Sequence, residues 1–133
     1  MTFVQPSPLL RNALLADGLL GVFTGLLLIL SASWLAGFLD LPRQLLMASG
    51  LTLLPLGALL CWLARQRQLH SLVVWAVIVL NALWVIDSVL LLALGWVAPN
   101  LFGYTFVIGQ ALAVALLAEL QGFGLRQSAP LAA

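Results

Sequence analysis

The chain has 133 residues, of which 64% are hydrophobic and 7% charged, and its formal net charge is +1. A soluble domain carries about 25% charged residues, so this composition cannot cover a water-soluble globule, and it is also too apolar for a disordered chain. The five basic residues are all arginines, too few to form the basic face that nucleic-acid binding requires.

Four apolar stretches are long enough to cross a membrane, since a helix needs about 20 residues to span a hydrocarbon core about 30 Å thick. Short connections should place consecutive helices side by side and antiparallel. The sequence therefore predicts an all-α fold, a single transmembrane domain built as a four-helix bundle. The predicted helices cover about residues 13–36, 44–64, 69–94 and 101–124, between an N-terminal tail (1–12) and a C-terminal tail (125–133).

The first predicted helix carries a small-residue step and one acid. Gly21 and Gly25 form a GxxxG pair, which lets the backbones of two membrane helices approach closely. Asp17 lies about four residues inside the predicted helix, roughly 6 Å deep at 1.5 Å per residue. The apolar run partly fits a secretory signal, but it is too long for one and contains Asp17, so we predict a retained span.

The second predicted helix repeats the small-residue pattern around a proline. Gly50 and Gly57 line one side together with Cys61. Pro55 removes a backbone donor and should kink the helix. Cys61 is the only cysteine and His70 the only histidine, so the chain holds neither a disulfide nor a metal-binding set nor a nucleophile–base pair. We therefore expect no metal, no other cofactor and no enzymatic activity.

The third predicted helix has a polar side that contains Asp87. This residue lies about seven residues from the predicted outer end, roughly 11 Å deep, where an ionisable group costs about 2.5–3.5 kcal/mol on insertion scales. The site is predicted either as a cavity that binds a proton, a cation or a small solute, or as a sealed cluster that fixes helix register. The predicted intramembrane polar site comprises Asp87, Asn81 and Ser88, with Gln110 and Thr52 at similar depth on the neighbouring helices.

The fourth predicted helix contributes a stripe of small residues, Ala111, Ala115, Ala118 and Gly122. Stripes of this kind usually build the bundle itself. Together with the glycines of the first two helices, these small residues provide more faces for close helix packing than a four-helix bundle requires. We therefore expect some of it to serve a homo-oligomer or a larger membrane complex.

Four of the five arginines fall at the N-terminus, the middle loop and the C-terminus, and only Arg43 falls on the opposite side. The positive-inside rule then predicts both termini in the cytoplasm, in a multi-pass protein of the inner membrane. Two acids on the same side could pair with these arginines. The predicted cytoplasmic-side ion pairs involve Asp17, Glu119, Arg11, Arg65, Arg67 and Arg126.

This pattern resembles small four-span proteins of the bacterial inner membrane. Small multidrug exporters also place an acid early in their first helix, where Asp17 stands, but their surrounding motif is not in this sequence and their chemistry is not carried over. Two functions remain. One is a non-catalytic bundle that works through helix contacts in the lipid bilayer, as an accessory subunit or a homo-oligomer. The alternative is a small proton- or cation-coupled transporter or channel that uses Asp87.

Overall fold

A computed structural model describes residues 2–130 and is 80% helical. Four of the helices are long and apolar enough to cross a membrane, which confirms the prediction of four apolar spans. Met1 and residues 131–133 of the predicted tails lie outside the described residues. The helices are α1 (Pro8–Leu30), α2 (Ala32–Leu39), α3 (Arg43–Ala64), α4 (Ser71–Ala93) and α5 (Leu101–Gln127), and the strands are β1 (Phe3–Gln5), β2 (Leu69–His70) and β3 (Ala129–Pro130).

The first span begins earlier than predicted and is divided in two. The Ser7 hydroxyl accepts a hydrogen bond from the Leu10 N–H at 3.1 Å, and Pro8 is the first helical residue. Such a serine satisfies a backbone donor at the helix start, and the fixed φ of proline suits the first position. The span is interrupted at Ser31, whose φ of −114° and ψ of 17° lie outside the helical region. Because α1 starts at Pro8, Asp17 lies about 14 Å along the helix, much deeper than predicted.

A three-stranded antiparallel sheet joins three distant segments at one end of the bundle. The central strand is β1, in which Val4 pairs with Leu69 of β2 and with Pro130 of β3. Val4 and Leu69 are both buried. Beside the sheet, the Ser7 N–H donates to Ser128 Oγ at 2.9 Å. The start of α1, the α3–α4 connection and the end of α5 therefore meet, and Leu69, predicted to be helical, belongs to the sheet.

The packing of the helices centres on α1, which contacts α3 along one side and α5 along the other, while α4 packs mainly on α5. Glycines bring the backbones of α1 and α3 together. A Cβ added at Gly57 would lie 2.6 Å from the Val22 nitrogen and 2.7 Å from the Gly18 carbonyl oxygen. Because these are backbone atoms, a larger residue could be accommodated only if the helices separated.

The predicted packing residues fall into two groups in the structure. The predicted glycines of α1 and α3 (Gly21, Gly25, Gly50 and Gly57) form one contact, which also includes Gly18 and which we call the glycine seam. The predicted stripe on α5 is not one contact. Ala111 and Ala115 line an apolar groove against α4, Ala118 is half-buried, and a Cβ added at Gly122 would meet no atom within 4 Å.

Candidate functional site

Three polar side chains from three helices meet inside the bundle. Asp17 Oδ2 accepts hydrogen bonds from Asn81 Nδ2 at 2.8 Å and from Gln121 Nε2 at 2.7 Å, and Asn81 Nδ2 also lies 3.0 Å from Gln121 Oε1. Their exposed fractions are 8%, 7% and 0%, respectively. A buried polar group is costly unless it is hydrogen-bonded, so this carboxyl–amide triad (Asp17, Asn81 and Gln121) fixes α1, α4 and α5 relative to one another.

A second polar cluster joins α4 and α5 nearer the other end of the bundle. Trp84 Nε1 donates to Gln110 Oε1 at 2.7 Å. The Gln110 amide nitrogen donates to Ser88 Oγ at 2.9 Å and to the Val107 carbonyl oxygen at 2.8 Å. Since Ser88 Oγ donates in turn to the Trp84 carbonyl oxygen at 2.8 Å, the polar groups of this cluster are largely satisfied by one another.

A partly open cavity of about 220 Å³ extends between these two clusters. Its polar lining comes from Asp17 and Thr24 of α1 together with Trp84 and Gln110. Two smaller cavities, of about 80 and 40 Å³, share Leu53 and Trp84 with it. The remaining lining residues of the 220 Å³ cavity are Leu20, Gly21, Leu53, Ala113, Val114 and Leu117, so its walls are mostly apolar.

Two of the α1 residues that line this cavity have a side-chain oxygen without a hydrogen-bond partner within residues 2–130, Asp17 Oδ1 and Thr24 Oγ1. No completely enclosed side-chain oxygen or nitrogen in this part of the chain lacks a partner, so both atoms keep some accessible surface, and both residues line the cavity. Thr24 also differs from Thr52 and Thr105, whose hydroxyls each donate to the carbonyl four residues earlier at 2.9 Å. The cavity is therefore lined by two polar groups that remain free to bind another molecule.

The structure does not bring Asp87 into the interior. Asp87 is exposed on the outer side of α4, makes no hydrogen bond to any residue in the range 2–130, and lines neither the three cavities described above nor the groove at Ala111 and Ala115. At about 100° per residue, Asp87 is displaced by roughly 100–120° from Asn81 and Ser88. With Asn81 and Ser88 both facing the interior, the carboxyl of Asp87 faces outward.

The other members of the predicted polar site are divided between different contacts. Asn81 bonds to Asp17, which was predicted to lie near the cytoplasmic end of the first helix. Gln110 and Ser88 bond to each other. Thr52 is exposed on α3. The structure thus replaces one predicted site with two hydrogen-bonded clusters and an isolated outward-facing acid.

The residues predicted to form cytoplasmic-side ion pairs do not pair with one another in the described part of the chain. Arg11 instead donates to the Ala64 carbonyl oxygen at 2.6 Å and to the Gln66 carbonyl oxygen at 3.1 Å. These contacts satisfy carbonyl groups at the end of α3, which have no partner within the helix. The carboxyl of Asp17 is deeper than predicted and bonds to amides. Glu119, Arg65, Arg67 and Arg126 are exposed.

Gln121 is the residue of the triad that the sequence analysis missed, because it lies close to the predicted end of the fourth helix. A helical projection could have identified it. Gln110 and Gln121 are eleven residues apart, which places them about 20° from each other around a helix.

No protein-family model, no characterised protein and no solved structure matches the chain.

Proposed function

We propose that this chain is a non-catalytic, multi-pass accessory subunit of the bacterial inner membrane that works through helix contacts. In this proposal the outer face of α4 binds a transmembrane helix of another protein, and both termini of the chain are cytoplasmic. The observation that carries the proposal is the position of Asp87, an acid on the outer face of an otherwise apolar helix.

The surroundings of Asp87 make it costly in a lipid bilayer. Leu83 and Leu90, one turn away on either side, are 49% and 40% exposed. Asp87 lies about six residues from the end of α4, or roughly 9 Å. A carboxyl group inside the hydrocarbon region costs about 2.5–3.5 kcal/mol on insertion scales. No residue in the range 2–130 offsets this cost by bonding to Asp87, so a partner is expected to do so.

The partner should carry an arginine, a lysine or a hydrogen-bond-donating side chain at the level of Asp87. Charge-assisted hydrogen bonds of this kind are stronger than neutral ones, particularly where the local dielectric is low. A second copy of this chain is poorly suited to supply the cation. Its arginines lie at or beyond helix ends, where Arg11 already bonds to the end of α3 and Arg43 to Ser33. The chemistry favours a different protein.

The alternative function, transport at an interior site around Asp87, lacks this support. Asp87 lines neither the three interior cavities nor the groove at Ala111 and Ala115, and Asn81 and Gln110 bond to other residues.

Site-specific photo-cross-linking in native membranes tests the proposed contact. A benzophenone amino acid at Leu83, one turn from Asp87, should give an adduct of higher mass with a distinct protein. The same group at Leu51, which is 58% exposed on α3, is the matched control and should not give this adduct. Replacing Asp87 with leucine should lower the yield of the Leu83 adduct by about tenfold or more, since tenfold corresponds to about 1.4 kcal/mol of binding free energy.

Two results would contradict the proposal. Absence of a protein adduct at Leu83 would mean that this face contacts only lipid, and an adduct whose yield is unchanged by Asp87→Leu would mean that the acid does not contribute. An adduct with twice the mass of the chain would identify a second copy as the occupant, against the choice of a different protein.

A further inference from the structure

We propose that the 220 Å³ cavity beside Asp17, the Asp17 cavity, binds a small organic amine. The ammonium group would lie at Asp17 Oδ1 and the apolar body of the ligand against the walls of the cavity. This site is separate from the outer face of α4 and does not depend on the proposed partner.

The carboxyl group of Asp17 is positioned for a ligand by its own hydrogen bonds. Asn81 and Gln121 both donate to Oδ2, which fixes the carboxyl group and leaves Oδ1 without a bond to any residue between 2 and 130. The nearest arginine in sequence, Arg11, is bonded to carbonyl groups at the end of α3. No arginine within residues 2–130 forms an ion pair with Asp17, so Oδ1 can accept a hydrogen bond from a cationic ligand.

The rest of the lining favours an organic cation over a metal ion. Hard metal ions such as calcium take about six to eight oxygen ligands, whereas this cavity offers two oxygens without partners, Asp17 Oδ1 and Thr24 Oγ1. Its walls include Leu53, Val114 and Leu117. Ligand pockets are typically apolar with a few polar groups that orient the ligand, and sites for drug-sized molecules measure about 300–1,000 Å³. A smaller amine is the class that fits.

Thr24 defines a second contact for this ligand. It lies seven residues after Asp17 on the same side of α1, about 10 Å further along the helix axis. Its hydroxyl, unlike those of Thr52 and Thr105, does not bond to the preceding turn. An amine that also carries a hydroxyl or a second amino group at the far end of its apolar body could therefore contact both Asp17 and Thr24.

Calorimetric titration of the purified chain in detergent micelles tests the proposal, with benzylammonium chloride as the probe and empty micelles as the blank. We expect saturable binding to the unmodified chain. Benzyl alcohol, which has the same ring without the charge, should bind at least tenfold more weakly. Asp17→Asn should also weaken benzylammonium binding at least tenfold, because the amide can keep both hydrogen bonds through its oxygen while turning an NH₂ donor toward the cavity. Glu119→Gln, which neutralises an exposed acid on α5, should leave the affinity unchanged.

A second pair of variants tests the cavity without altering the carboxyl–amide triad. Ala113 lines the Asp17 cavity, so Ala113→Phe should fill it and lower the affinity at least tenfold. Leu112 is adjacent and 66% exposed, and Leu112→Phe should leave the affinity unchanged. Heat indistinguishable from the blank, equal binding of benzyl alcohol, or unchanged affinity in Asp17→Asn or Ala113→Phe would overturn the proposal.

Discussion

Gln121 has no exposed surface and contacts both other members of the carboxyl–amide triad. Its amide nitrogen donates to Asp17, and its amide oxygen accepts from Asn81. An amide side chain can donate a hydrogen bond to an acid and accept one from another amide. A carboxylate can only accept hydrogen bonds, and a hydrocarbon side chain can do neither. This single residue therefore couples α5 to both α1 and α4.

Replacing Gln121 with leucine should lower the free energy of unfolding by about 1–3 kcal/mol, because Asp17 and Asn81 each lose a partner while remaining buried. The matched control is Gln127→Leu at the exposed end of the same helix, where surface substitutions usually change stability by less than about 0.5 kcal/mol. Unfolding by SDS in mixed micelles, followed by helical circular dichroism, measures both changes. Equal losses in the two variants would mean that the triad does not stabilise the bundle.

At the residue scale, the sequence identified most of the polar groups but not their contacts. Asp17, Asn81 and Gln110 were recognised as unusual in apolar helices, and all three lie in the interior clusters. Their depth was inferred from helix ends placed by hydropathy, and an error of about five residues moves a group by roughly 7 Å. Asp87 sits at the edge of the polar arc of α4, so only the packing of α4 on α5 determined that it faces outward.

At the element scale, glycines that look alike in the sequence differ in how much space surrounds them: those of the glycine seam contact the backbone of a neighbouring helix, and others do not. Alanine at Gly57 would place its Cβ 2.6 Å from a backbone nitrogen of α1, whereas alanine at Gly122 would meet nothing within 4 Å. Gly57→Ala should therefore force α1 and α3 apart and cost about 1–3 kcal/mol, as overpacking does. Gly122→Ala, the matched control, should be neutral or slightly stabilising because alanine favours the helix. The same SDS unfolding measurement compares them, and equal stabilities would show that α1 and α3 do not approach as closely as the seam requires.

The limits of sequence-based prediction also differ between elements. Hydropathy and length alone identified the four long helices, because a span of about 20 apolar residues has few alternatives. Ser7 followed by Pro8 is a recognisable signal for the start of a helix, but a prediction based on hydropathy alone does not use it. The strands have only two or three residues each, which is too short for a periodic pattern. Their pairing depends on segments more than 50 residues apart that only the folded bundle brings together.

At the scale of the whole molecule, the sheet places three segments of the chain at one end. Arg11 bonds to the end of α3, Arg65 and Arg67 lie in the connection that leads into β2, and Arg126 lies in the last turn of α5. At the opposite end, Asn100 Nδ2 donates to the Phe38 carbonyl oxygen at 2.7 Å, and the exposed Trp96 lies nearby in the chain. The bundle therefore has one arginine-rich end and one end with a single arginine, Arg43.

The two ends of the bundle should face opposite sides of the membrane. Translocating arginine-rich segments is unfavourable, so short loops rich in arginine remain inside, and we expect the sheet end to be cytoplasmic. In a Cys61→Ser background, single cysteines replace Gln68 at the sheet end and Trp96 at the other end, both of which are exposed. A membrane-impermeant maleimide applied to intact cells should label the cysteine at position 96, whereas the one at position 68 should be labelled only after lysis. Because both positions are exposed, the two cysteines should label equally in lysed cells, which controls for intrinsic reactivity. Labelling of position 68 but not of position 96 in intact cells would reverse the orientation, and labelling of both positions from outside would mean that α4, which separates them, does not cross the membrane.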